Sequence, residues 1–174
     1  VGYKNHVDAD DSVAIGVGNA IAGNTADNGT QRVVALGVNA NVNTGAVDSI
    51  VIGTGPNASY SAQIYKDSVN SIAIGSNDVD VGGNNAIGIG SNGTYATVDG
   101  AIAFGNNART TGAAAIDGIS IGTGTRVTGT SGVSIGKDAT TTVADSVALG
   151  SGSLANIANT VSVGNNSNQR RIVY

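Results

Sequence analysis

No cysteine, methionine or tryptophan occurs among the 174 residues. Without cysteine there is no disulfide framework, no thiolate metal site and no cysteine nucleophile. His6 is the only histidine, Phe104 the only phenylalanine and Pro56 the only proline. His6 has no serine or cysteine near it in a recognisable nucleophile setting, so it reads as an exposed turn residue rather than a base. Charge is scarce as well: 11% of residues carry it and the formal net charge is −4. That composition excludes a basic nucleic-acid surface. No stretch approaches transmembrane length, so no membrane contact is expected of this fragment, and no signal peptide opens the chain. Glycine, by contrast, is abundant, with 27 residues.

Ten of those glycines close a recurring five-residue phrase, small–Val/Ile–small–large apolar–Gly. The phrases are 12–16, 33–37, 49–53, 71–75, 86–90, 101–105, 118–122, 132–136, 146–150 and 160–164. Successive glycines are 21, 16, 22, 15, 15, 17, 14, 14 and 14 residues apart. A short period sustained over a whole chain marks a stack of similar units. Three residues before the glycine stand Val13, Val34, Ile50, Ile72, Ile87, Ile102, Ile119, Val133, Val147 and Val161. Immediately before it stand Ile15, Leu36, Ile52, Ile74, Ile89, Phe104, Ile121, Ile135, Leu149 and Val163. Between these two rows the residue is Ala, Ser or Gly, with Val51 the exception. Alternation with period two, carried by β-branched residues, predicts a short strand with one bulky and one small-residue face.

Turns bracket each strand. Two residues after the glycine the residue is always Gly, Asn or Asp, as at Gly18, Asn39, Asn77 and Asp138. Asp or Asn also precedes seven of the ten phrases. These residues tolerate a left-handed backbone. A 14-residue unit has room for the phrase strand, a turn, a second short strand such as 139–143, and a second turn. The fold class is therefore all-β: a parallel β-solenoid whose coils pair with their neighbours ~4.8 Å away. The spacings of 21 and 22 mark insertions, near 20–31 and 54–67. The twenty bulky residues read as the repeat core. The small-residue face reads as a surface for close approach by another chain, with a narrow roll interior as the alternative.

Ser12-Val13-Ala14-Ile15-Gly16, Ser71-Ile72-Ala73-Ile74-Gly75 and Ser146-Val147-Ala148-Leu149-Gly150 closely resemble the head repeat of the trimeric autotransporter adhesins, bacterial surface proteins typified by the Yersinia adhesin. The resemblance runs from Gly2 to Gly164. It implies a left-handed parallel β-roll intertwined as a homotrimer, displayed on the bacterial surface and anchored by a C-terminal outer-membrane barrel outside this fragment. Gln169-Arg170-Arg171-Ile172-Val173 resembles the entry to the neck, although the family continues with Asn where Tyr174 stands. The expected division is thus a head at 1–164 and the start of a neck at 165–174. Gly2 lies 14 residues before Gly16, so the chain reads as cut from something longer. The implied function is attachment to a host extracellular matrix protein or epithelial receptor, with other microbes as further candidates. No catalytic residue, cofactor or metal is expected.

The second insertion, between Gly53 and Asp67, carries two of the five tyrosines. Exposed aromatics on loops are typical binding anchors, so Tyr60, Ile64, Tyr65 and Lys66 are the partner-contact candidates. Packing of those tyrosines onto their own coil or a neighbouring chain is the plainer alternative. The first insertion, 22–31, has no such anchor. Asp8, Asp10 and Asp11, and Asp78 and Asp80, alternate as calcium ligands can, but neither group has the glycine pattern of a calcium-binding solenoid. Two rival functions remain. One is a passive spacer in the adhesin fibre. The other is a hexapeptide-repeat acyltransferase, suggested by Leu36-Gly37-Val38-Asn39-Ala40, although such enzymes use three hexapeptides per coil.

Overall fold

The computed structural model describes residues 1–23 and 32–173. The first insertion lies largely outside the described residues. Every phrase becomes a strand, and the phrase strands pair in parallel as one eleven-stranded sheet in chain order, from Gly2–Tyr3 to Val161–Ser162. A second strand follows each phrase strand except the last, and these form a ten-stranded parallel sheet from His6–Val7 to Leu154–Ala155. The expected second strand at 139–143 is trimmed to Thr140–Thr141. The molecule is thus a solenoid of about ten turns, each made of two strands and two corners. A two-sided coil of this kind differs from the three-sided coil of the hexapeptide acyltransferases.

Register holds whatever the corner length. Val13 pairs with Val34 across 21 residues, Ile50 with Ile72 across 22, and Ile119 with Val133 across 14. Inserted residues are absorbed in corners, so the ladder is undisturbed. The corners use the expected residues. Asp11, Asp48, Asn70, Asn85, Asp117, Asp145 and Asn159, which precede phrases, all have positive φ, as do Asn39, Asn77, Asn92, Asn107 and Asp138 beyond them. The phrase glycine has a further reason to be glycine. At Gly75 φ is +145°, and a Cβ there would lie 1.8 Å from the carbonyl oxygen of Gly90 on the next coil. The column of glycines is where adjacent backbones come closest.

The expected core is inverted. None of the twenty bulky residues is buried: Val13 is 47% exposed and Phe104 50%. The small row, Ala14, Ala35, Val51, Ala73, Gly88, Ala103, Ser120, Ser134 and Ala148, is buried instead. It faces the inward row of the second sheet, including Ile21, Val42, Ile64, Val79, Val81 and Val127, all of them fully enclosed. The physical reason is width. Two short strands set back to back enclose a narrow lumen, and small residues from one sheet fill it only against medium ones from the other. In the later coils the lumen turns polar and pairs its hydroxyls. Ser120 donates to Thr125 at 2.8 Å, and Ser134 meets Thr141 at 2.9 Å. Such groups are buried without penalty because each has a partner.

Candidate recognition surface

Two faces of the solenoid carry the side chains available for recognition. The outer side of the phrase sheet is a double apolar row. Its rungs run in register from Val13 to Val161 and from Ile15 to Leu149. A contiguous apolar stripe of this length on a chain surface marks an interaction face.

The outer side of the second sheet is polar and shows one outward residue per coil. Asn41, Gln63, Asp80, Tyr95, Arg109, Arg126, Thr140 and Leu154 follow one another in register. Its middle is a hydrogen-bonded network. Gln63 Nε2 donates to Asp80 Oδ1 at 2.6 Å, and the Tyr65 hydroxyl donates to Asp80 Oδ2. The Tyr95 hydroxyl donates to Asp78 at 2.5 Å. Burial pushes the Asp80 carboxyl above its ordinary value of 3.8, while the bonds from Tyr65 and Gln63 pull it partway back. Burial and the bond to Asp80 push the Tyr65 phenol well above its ordinary range. The bond to Asp78, with burial second, pushes Tyr95 up to about 12.

The partner-contact candidates separate. Tyr60 closes a short 3₁₀ turn, Ala58–Tyr60, capped by Asn57, and is 55% exposed. Lys66 is exposed and pairs with Asp67 at 2.7 Å. Tyr65 is partly covered, with its hydroxyl committed to Asp80 and its ring against Gly82. Ile64 corrects the expectation: it is fully buried. It sits on the second strand at an inward position, so it fills the lumen and touches no partner. The tyrosine–aspartate network was missed in the sequence. Its only signal there is that Tyr65, Asp80 and Tyr95 recur at nearly one coil's spacing, which matters only once the second strand is placed.

Asp78 and Asp80, weighed as an acidic pair, are engaged by Tyr95 and Tyr65. His6 lies exposed on the first second-sheet strand. At the other end, Arg170 folds back on the last coils. Its Nη1 donates to Ser153 Oγ and to the Val163 carbonyl, each at 3.1 Å, and its Nη2 to the Ser151 carbonyl.

No curated protein matches the chain. The YadA head domain repeat matches it twice, at residues 1–19 and 144–167. These segments are coils at the two ends of one ladder whose rungs all share the phrase. The chain is therefore similar to the YadA head domain repeat at both of its ends, and the coils between them continue the same parallel ladder.

Proposed function

We propose that this head is the adhesive part of a trimeric surface fibre and attaches to a host extracellular matrix protein or epithelial receptor. The observation that carries the reading is the repeat match combined with the uncovered apolar stripe. A lone chain leaves the row from Val13 to Val161 facing water. Three chains joined about one axis along that stripe bury it, and the polar second sheets face outward. The small-residue face is spent inside each roll, so the bulky face is the subunit interface in this proposal. The coil is taken as left-handed, as the resemblance implies, with residues 165–174 leading into a neck.

Recognition then falls to the outward sheet and its corners, with Tyr60, Tyr65 and Lys66 as contact candidates. Each patch is present three times, so weak contacts gain avidity. The test is binding of the head to immobilised matrix proteins and receptor-bearing cells, with Tyr60→Ala/Lys66→Ala as the probe. Wild-type binding that drops about tenfold in the variant, with the assembly intact by light scattering, supports the reading. Absence of any binding by the wild-type head favours a spacer.

A further inference from the structure

Arg109 and Arg126 occupy the same position on adjacent coils, one rung apart. Like charges directly opposite on neighbouring strands destabilise a sheet, and no carboxylate offsets this pair. The ion pairs among the described residues are Arg32–Asp48, Lys66–Asp67 and Lys137–Asp138. Arg109 is nonetheless held firmly. Its Nε donates to Asn107 Oδ1 at 2.8 Å and to the Gly93 carbonyl at 3.3 Å. Its guanidinium lies 4.7 Å from the centre of the Tyr95 ring, and that ring is tethered at its hydroxyl by Asp78. Among the described residues neither the Nη groups of Arg109 nor any nitrogen of Arg126 has an acceptor.

A pinned guanidinium with free donors, beside a second exposed one, is preorganised for anions. Each planar fork matches a sulfate or carboxylate, and little side-chain freedom remains to be lost at Arg109. A protein partner needs an apolar anchor site at the centre of its footprint. Here the adjoining surface residues are Asn107, Thr128 and Thr140, which offer amide and hydroxyl groups instead. The row rises one rung per residue, ~4.8 Å, about the length of one sugar unit.

We propose that Tyr95, Arg109 and Arg126 form a site for an acidic polysaccharide lying along the rod axis, each arginine taking one sulfate or carboxylate group. This deepens the adhesin reading by assigning a ligand class, and it rests on that reading for its biological meaning. The site itself lies within one chain.

The experiment is titration calorimetry of the 174-residue chain with a heparin oligosaccharide, a hyaluronan oligosaccharide, dextran and polyglutamate. Heparin or hyaluronan binds and dextran does not; heparin alone identifies sulfate as the group recognised, and hyaluronan alone carboxylate. Arg126→Gln weakens binding by about tenfold or more. Arg109→Lys keeps the charge but loses the fork and the lid over Tyr95, and weakens it several-fold. Lys137→Gln, an equal charge change outside the row, stays within about twofold of wild type. The proposal is overturned if neither acidic saccharide binds, if Lys137→Gln weakens binding as much as Arg126→Gln, or if polyglutamate binds as tightly. Attachment to matrix or cells without saccharide binding overturns this site alone. Saccharide binding without attachment to either overturns the adhesin reading and leaves the site standing.

Discussion

Replacing Gly75 by alanine tests whether the glycine column is needed for backbone freedom or for space. Gly75 and Gly112 both have positive φ, +145° and +97°. A Cβ on Gly75 would sit 1.8 Å from the Gly90 carbonyl oxygen, whereas one on Gly112 would meet nothing within 4 Å. Both substitutions incur the strain of a side chain in a sparsely populated region, about 1–3 kcal/mol. Gly75→Ala alone also forces two coils apart at a backbone atom that has no rotamer to yield. By analogy with overpacked cores that adds about 1–3 kcal/mol or more. For a chain of this size each kcal/mol moves the midpoint by about 2–4 °C. Thermal melts at one fixed protein concentration, followed by circular dichroism, read the difference directly. Gly75→Ala melts several degrees below Gly112→Ala. Equal midpoints would refute the idea that the carbonyl of the adjacent coil is what demands glycine.

Three further outcomes are expected. Ile135→Asp, on the outer stripe, leaves the coil folded by circular dichroism but breaks the assembly in light scattering, whereas Ala148→Asp, in the lumen, buries a carboxylate and unfolds the chain at a cost of several kcal/mol; identical behaviour of the two would mean the faces are misassigned. Asp80 has a raised pKa in the fold, so between its ordinary value of 3.8 and that raised value the folded state holds more protons and stability falls as pH rises. Asp80→Asn, measured by urea unfolding across the acidic range, flattens that slope; an unchanged slope would sink the assignment. Tyr95 titrates at about 12 because it donates to Asp78, so its bond contributes fully below pH 10 and is lost as pH rises through 12. Asp78→Asn should bring that step in the tyrosinate absorbance down, and no movement would contradict the bond.

Much of the fold was legible from the phrase alone. Strand identity, register and corner residues follow from the spacing of glycines and from Asn, Asp and Gly at fixed offsets, and Val13 opposite Val34 or Asp11 at φ 49° are direct consequences. The direction of the faces was not legible. Alternation separates Ile15 from Ala14 but is silent on which one points inward. Bulk suggested the wrong answer, because the usual rule that large apolar residues lie inside assumes a core wide enough for them. A second strand per coil is legible too, but which of its residues point inward is not. Its inward residues, from Ile21 through Val79 to Thr141 and Ala155, vary in chemistry and are tied together only by position in the coil. That is why Ile64 passed for a contact residue and the tyrosine–aspartate network went unseen.

Hydrogen bonds in this roll point along its long axis, so tension applied at its ends loads the rungs in series rather than in shear. The weakest rung then sets the yield point. Phrase strands from Val13–Val17 to Ile102–Asn106 are five residues long, while those from Ile119–Ile121 onward are three or two. The companion strands after Arg109–Thr110 are two residues each. The first coil is as thin, with Gly2–Tyr3 and His6–Val7 two residues each, whereas the companion strands Ala62–Ile64, Val79–Val81 and Thr94–Ala96 have three. Under load the end coils therefore peel first, one at a time, and the better-laddered middle coils stay closed.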